Sequence, residues 1–335
     1  MIITRTPLRI TLGGGGTDLP SYYRRSGHGF LIAAAITKYV FIAVNRNFDD
    51  DILLKYSAVE RVPTCDDVDH PLLRECLRSV GSPTGLEISS MADIPAGTGL
   101  GSSGAFTVGT LHALRMYQHE QVTNVDLASE ACDIEIERLT EPVGKQDQYI
   151  AALGGVAAFT FRDDESVSVE RLEFDRATRS DLEDNLLLFY TGVRRSASEV
   201  LGNEQTNTPS SPGSGSPASG NSLSDNHDRT RAIGYETRDA LLDGDLRAFA
   251  GLLTRQWHLK YERQPGPIHD TVDNWIRAAL GAGALGGKLV GAGGGGFLLV
   301  YAEEKAGVRR AMAAQGLEEV RFDIDYEGTT ALVAR

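Results

Sequence analysis

Pro95-Ala96-Gly97-Thr98-Gly99-Leu100-Gly101-Ser102-Ser103-Gly104 alternates three glycines with other residues, then opens at two serines into a run of helical period. Ala105, Val108, Leu111 and Leu114 fall near one face of that run. Glycine takes φ > 0 without strain and lets a ligand approach the backbone. A helix start adds unpaired N–H groups and a positive dipole end. Together they predict an anion site suited to nucleotide phosphates. A glycine loop capped by a serine would use the same residues for structure alone. The subset Gly99-x-Gly101-x-x-Gly104 also matches the dinucleotide fingerprint of NAD-dependent oxidoreductases. That fingerprint wants a strand running straight into its first glycine, and here residues 92–96 intervene after strand-like 86–91. No Walker motif exists, since Gly287-Lys288 is followed by Leu289.

A chain of 335 residues exceeds one average core and predicts two lobes. Apolar residues at 41% and charged residues at 24% fit a soluble globular protein. A net charge of −13 argues against nucleic acid or an anionic membrane as partner, since both select basic surfaces. A phosphorylated small molecule stays compatible, because a pocket needs only a few local cations. Cys65, Cys76 and Cys132 show no CxxC spacing, which predicts neither a disulfide framework nor a zinc site and fits a reducing cytoplasm. The opening MIITRTPLRITLGGGG has no signal-peptide apolar core, and the longest apolar run, residues 30–36, is too short to span a bilayer. The histidines show no HxxxH or HExxH spacing. Trp257 and Trp275 fall on helical patterns and read as core.

Residues 2–12 read as a strand entering Gly13-Gly14-Gly15-Gly16. Further strands are expected at 39–45, 52–56, 86–91, 156–161, 185–190, 288–290 and 297–301. Helices are expected at 71–80, after the glycine loop, at 124–139, 149–153, 230–242, 246–260 and 270–280. The mixture lacks strict βαβ alternation, which predicts an α+β fold. Residues 203–225 are nearly all Asn, Thr, Pro, Ser and Gly, and predict a disordered loop or mobile lid.

Three segments combining glycine with polar residues, at 9–18, 95–104 and 288–296, suggest backbone loops converging on one ligand. Thr6-Pro7-Leu8-Arg9 with Gly14-Gly15-Gly16-Thr17-Asp18 resembles the first motif of the GHMP kinases. Residues 95–103 resemble their phosphate loop, and Lys288-Leu289-Val290-Gly291-Ala292-Gly293-Gly294-Gly295-Gly296 resembles their third motif. Order and spacing match over nearly the whole chain. Within the superfamily the pattern looks most like the bacterial D-glycero-D-manno-heptose 7-phosphate kinases. The features are GGGGTD at 13–18, Gly144-Lys145-Gln146-Asp147-Gln148-Tyr149, and Trp257-x-x-Lys260 before Gly286-Gly287-Lys288. Fucokinase domains share much of this pattern.

The resemblance implies a two-lobed α+β fold. A ribosomal S5 domain 2-like lobe would cover residues 1–178, and a ferredoxin-like lobe residues 179–335. It implies ATP and Mg2+, with the γ-phosphoryl group passing directly to the anomeric C1 hydroxyl of a heptose 7-phosphate for nucleotide-sugar synthesis. The alternatives are a kinase of an unphosphorylated sugar, fucokinase- or galactokinase-like, and a catalytically silent sugar-binding regulator. Oligomeric state stays open, a homodimer included.

By the same resemblance Asp147 accepts or polarises the acceptor hydroxyl, with Arg9 and Lys145 as neighbouring cations. Pro95, Gly97, Thr98, Gly99, Leu100, Gly101, Ser102, Ser103 and Gly104 would hold ATP. Ser103 and Glu137 would hold Mg2+, with Glu135 and Glu141 as nearby alternatives. Asp18, with Thr17, Gly15 and Gly16, would hold sugar hydroxyls, because one carboxylate accepts two hydroxyl hydrogen bonds. Gly293, Gly294 and Gly295 would also face the substrate. Arg194 and Arg195 would meet a distal phosphate, with Lys260 and Arg24 as further candidates.

Overall fold

The computed structural model describes residues 1–193, 220–263, 265–291 and 295–334. A first sheet contains β1 (Ile2–Gly13), β2 (His28–Arg46), β3 (Ile52–Lys55), β4 (Val59–Val62), β5 (Leu86–Ala92), β6 (Val156–Arg162) and β7 (Val167–Arg171). A second contains β8 (Leu186–Tyr190), β9 (Gly286–Leu289), β10 (Phe297–Tyr301) and β11 (Glu318–Glu319). The last strand, β12 (Thr330–Ala334), returns to pair antiparallel with β1. The helices are α1 (Pro20–Ser26), α2 (Pro71–Ser79), α3 (Ser102–Tyr117), α4 (Asn124–Cys132), α5 (Gln146–Leu153), α6 (Arg176–Asn185), α7 (Gly220–Leu242), α8 (Leu246–Arg263), α9 (Pro267–Gly281) and α10 (Lys305–Ala314).

The first sheet runs β12-β1-β2-β5-β3-β4, and β6 with β7 extends it from β2. Strand β2 serves two neighbours along its length: residues 28–34 pair with β6 and residues 40–46 with β5. Its first half is an unbroken apolar run because helices cover both faces there, with α3 and α5 packing against β2 as well as α7. Only the alternating second half carries the pattern of a strand with one wet face. Helix α3 lies on β1 and β2, and Ala105, Val108, Leu111 and Leu114 are fully buried, which is the face its periodicity predicts.

In the second sheet, successive residues of β8 and β10 feed different cores. Leu188 and Leu299 join the large core of the first sheet, while Phe189 and Leu298 pack with Trp257, Val272 and Met312. Helix α7 packs on β1 and β2, and α8 packs on α7, β9 and β1, so these two helices join the lobes. This is a two-lobed α+β architecture. The 178/179 division falls inside α6, and β12 places the end of the chain in the first sheet.

Residues 220–225 belong to α7, not to a disordered loop. Further along the same helix, buried Asn226 donates to the Leu259 carbonyl of α8 at 3.0 Å. Residues 203–219 lie outside the described residues. The helix expected over 124–139 is α4 followed by a π-helical turn, Asp133–Arg138. Among the described residues no helix is long and apolar enough to cross a membrane.

Candidate active site

The residue before α3 is Gly101, at φ 75°, and no side chain caps the helix. Its first free N–H groups therefore face outward from a left-handed glycine rather than toward a serine hydroxyl. A Cβ on Gly101 would meet Arg9 Cγ at 2.9 Å and Asp147 Oδ2 at 3.1 Å, so both its backbone angle and its surroundings require glycine. The loop is braced from behind by the third glycine segment: a Cβ on Gly291 would lie 2.5 Å from Gly99 Cα. Gly97, Gly99, Gly101, Ser102 and Ser103 line a cleft whose other wall includes Tyr56, His70, Met91 and Phe106. His70 stacks on Phe106 at 5.3 Å and meets Tyr56 edge-on at 4.7 Å. An apolar, aromatic wall facing a helix N-terminus suits a planar base joined to phosphates.

Four expected loop residues do not line this cleft. Leu100 is fully buried as an anchor in the core, and Pro95 is exposed, its carbonyl accepting the Thr98 hydroxyl at 3.0 Å. Thr98 is buried through that bond, and Gly104 lets α3 pass close to Asp147, where a Cβ would lie 2.8 Å from Asp147 Cβ. These residues shape the loop.

Arg9, buried in β1, donates Nε to Asp147 Oδ1 at 2.7 Å and Nη2 to Oδ2 at 2.9 Å. Its Nη1 donates to the Gly99 carbonyl, and its backbone N–H to the Leu100 carbonyl at 3.0 Å. One arginine thus ties the glycine loop to the carboxylate in the first turn of α5. Bidentate pairing fixes the plane of that carboxylate. Arg9, Val143 and Asp147 line both the base-and-phosphate cleft and a second cavity.

The second cavity collects Asp18, Gly15, Gly16, Gln146, Gln256, Lys260, Arg263 and Lys288. Asp18 is 4% exposed. Its Oδ1 accepts the Gly16 N–H at 3.2 Å and its Oδ2 the Gln146 N–H at 3.3 Å. Burial, then the neighbouring Asp147 charge, pushes its carboxyl up to about 6. Gly144 must be glycine here, since a Cβ would lie 1.9 Å from Asp18 Oδ2. Thr17 is fully buried and does not line the cavity: its hydroxyl lies 2.8 Å from the Phe30 carbonyl and 2.9 Å from that of Gly14, locking the turn.

Glu137 lines neither cavity. Its side chain is 56% exposed and pairs with Arg24 at 2.8 Å. Glu135 is 1% exposed, accepts from Gln148 Nε2 at 2.9 Å, and is hydrogen-bonded to Ser103. Burial pushes its carboxyl up to about 7 against hydrogen bonds from Gln148, Ser103 and Thr107, and the Asp147 charge adds to the rise. The signal was present in the sequence, because Glu135 lies four residues after Ala131 and seven after Ala128, continuing the buried face of α4 into the π-helical turn. Glu135 and the Ser103 hydroxyl form an oxygen donor set for a hard divalent cation. Two carboxylates that repel each other would be relieved by one. Among the described residues no group of three or more His, Cys, Asp or Glu is placed to hold a metal, so phosphate oxygens and water would complete the shell.

Lys145 precedes α5 and faces Glu165. Its ammonium donates to the Glu165 carbonyl at 2.9 Å and carboxylate at 2.7 Å, and lines neither cavity. Burial raises the Glu165 carboxyl, but hydrogen bonds from Arg24, Lys145 and Tyr23 outweigh it and bring the group down to about 2. Arg24, bound to Glu137 and Glu165, is part of this surface network and not of the acceptor cavity. Gly295 packs against Val193 instead of facing the cavity. Arg194, Arg195, Gly293 and Gly294 lie outside the described residues. Sequence reading passed over Gln256, Arg263 and the Lys288 ammonium as pocket groups. Gln256 and Arg263 carry no local motif, Lys288 opens the third glycine motif, and α8 and β9 bring the three together only in the fold.

The family model for the GHMP kinases N terminal domain matches residues 71–155, and that for the GHMP kinases C terminal matches residues 237–317. A D-glycero-alpha-D-manno-heptose 7-phosphate kinase of Campylobacter jejuni is 26% identical, covering 90% of this chain and 89% of its own. A galactokinase of Pyrococcus furiosus is 25% identical, covering 90% and 89%. Among solved structures, a D-glycero-D-manno-heptose 1-phosphate kinase of Bacteroides thetaiotaomicron shares the fold at a TM-score of 0.78 and 23% identity, covering 100% of each chain. The chain belongs to the GHMP kinase superfamily, as a phosphotransferase with an alcohol group as acceptor.

Proposed function

We propose that the protein is an ATP-dependent sugar kinase that transfers the γ-phosphoryl group to the C1 hydroxyl of a heptose 7-phosphate. The observation that carries this reading is the meeting of two cavities at one Arg9–Asp147 pair. A donor phosphate at the start of α3 and an acceptor hydroxyl beside Asp18 would both reach that pair. The heptose assignment is supported by the sugar kinases that the chain resembles, the Campylobacter jejuni enzyme among them.

Phosphoryl transfer is chiefly positioning and charge stabilisation. Asp147 accepts the hydrogen bond of the attacking hydroxyl and takes its proton. Arg9 holds that carboxylate in one orientation and supplies positive charge beside the reacting centre. Asp18 accepts hydroxyl hydrogen bonds from the sugar. The N–H groups at the start of α3 receive the donor phosphates. Ser103 and Glu135 would hold Mg2+, which neutralises phosphate charge when bound. No covalent enzyme intermediate is needed, and a cytoplasmic setting is consistent with the free thiols.

The test is a panel of heptose 7-phosphate, heptose, fucose and galactose with Mg-ATP, followed by ADP release and phosphorus NMR of the product. The expected result is preference for heptose 7-phosphate with a new anomeric phosphate signal. Turnover of an unphosphorylated sugar alone would overturn the heptose 7-phosphate assignment. Phosphate at another carbon would overturn the C1 assignment.

A further inference from the structure

Gln146 of α5 and Gln256 of α8 line the acceptor cavity and are 9% and 7% exposed. Each has its amide oxygen engaged by a neighbour. The Thr11 hydroxyl donates to Gln146 Oε1 at 2.7 Å, the separation of an O–H···O bond rather than of N–H···O. Lys288 is buried and donates from Nζ to Gln256 Oε1 at 2.6 Å. That nitrogen carries N–H groups to give in either protonation state. The two bonds settle which way each amide points, and both NH2 groups are turned away from their anchors. Neither amide nitrogen has a hydrogen-bond partner among the described residues. The Gln256 nitrogen would lie 3.8 Å from a Cβ on Gly15, which places it beside the glycine turn that leads to Asp18. Gln146 stands between the two carboxylates: its backbone N–H donates to Asp18 Oδ2 at 3.3 Å, and Asp147 is the next residue.

A largely buried amide N–H without a protein partner must be met by water or by a ligand. Ionised, Asp18 and Asp147 can only accept hydrogen bonds. A sugar hydroxyl both donates and accepts, so carboxylates alone would use half of its capacity. We propose that Gln146 and Gln256 are specificity-determining residues that donate their amide N–H groups to hydroxyl oxygens of the acceptor. Thr11 and Lys288 are the positioning residues that act through them. Fixed donors beside a fixed carboxylate select an acceptor with hydroxyls at matching positions. They reject a deoxy analogue, because its missing oxygen leaves an amide unpaired. This rests on the sugar-kinase reading above and names the groups through which such a kinase recognises the hydroxyls of its sugar.

The test measures kcat/KM for D-glycero-D-manno-heptose 7-phosphate and for its 2-deoxy, 3-deoxy and 4-deoxy analogues. It compares the wild type with Gln146→Leu, Gln256→Leu and Gln256→Glu, with Tm confirming the fold of each. Each Leu variant is expected to lose roughly 10–100-fold in kcat/KM for the full acceptor, mainly through its KM and with KM for ATP unchanged, the scale of one or two lost hydrogen bonds. The wild type should reject at least one deoxy analogue by a similar factor, and the matching Leu variant should lose that discrimination. Gln256→Glu keeps an oxygen for Lys288 and removes the donor, so Tm should hold while kcat/KM falls. A merely structural Gln256 would keep its activity in that variant. Deoxy penalties unchanged in both Leu variants would overturn the proposal, as would wild-type kcat/KM in Gln256→Glu. If the Leu variants fail to fold, Gln256→Glu decides the matter. A wild type that phosphorylates no sugar overturns the sugar-kinase reading itself, whereas turnover with unchanged deoxy penalties overturns the role of the glutamines alone.

Discussion

The donor cleft presents backbone, and the acceptor cavity presents side chains. In the cleft, Gly97, Gly99 and Gly101 lead into the uncapped start of α3, and ten consecutive residues contain the whole cradle. In the cavity, Asp18 follows β1, Asp147 opens α5, Lys260 and Arg263 end α8, and Lys288 lies in β9. A backbone cradle reads any phosphate chain, whereas a set of placed charges reads one acceptor. Selectivity should therefore reside in the cavity, and turnover in the Arg9–Asp147 pair common to both.

The comparison breaks first at that pair. Asp147→Asn should lower kcat by roughly 10²–10⁴, the scale of a positioned acid–base group, with both KM values little changed. Gly101→Ala puts a methyl group against Arg9 and Asp147 at a positive φ. It should cost roughly 10–100-fold in kcat/KM with KM for ATP rising more than KM for the sugar, as expected of about 1–3 kcal/mol of local strain. The reverse pattern would mean that the loop does not serve the donor.

Glu135→Gln should raise the Mg2+ concentration needed for half-maximal turnover by roughly tenfold or more, as loss of a carboxylate ligand predicts. Glu137→Gln should leave that concentration unchanged, because its carboxylate stands in an exposed pair with Arg24. Asp18→Asn sharpens the acceptor side, raising sugar KM with little effect on KM for ATP. It also carries a pH signature. With its folded value near 6 and its ordinary value 3.8, native Asp18 holds its proton more tightly than the unfolded chain does. Stability therefore falls as pH rises from about 4 to about 6, and the full cost is present above that. Thermal melts should show Asp18→Asn above wild type at about pH 8, with the difference closing toward about pH 4.

The smallest effect is expected at Lys145. Lys145→Met should keep kcat within about threefold, since its ammonium faces Glu165, and should lower Tm by a few degrees through the lost partly buried pair. A catalytic Lys145 would show the opposite balance.

The same contrast explains what the sequence made legible. The cradle is contiguous, so glycine spacing and helical period locate it directly. The alternating half of β2 announces a strand, while residues 28–36, covered on both faces, give no alternation to read. Asp147, Arg9 and Asp18 emerge from a family likeness rather than from spacing, because nothing local relates positions 9, 18 and 147. Glu135 and Glu137 share one acidic run, and only Glu135 continues the buried face that Ala128 and Ala131 mark on α4. The meeting of Lys260, Arg263 and Lys288 depends on α8 packing against β9, which no short pattern encodes.

The most direct measurement is a crystal structure with a non-hydrolysable ATP analogue and the sugar acceptor bound together. The account predicts the triphosphate at the start of α3, its terminal phosphate beside Ser103 and Arg9, and the acceptor hydroxyl hydrogen-bonded to Asp147. A triphosphate bound away from residues 97–103, or an acceptor hydroxyl out of reach of Asp147, would contradict it.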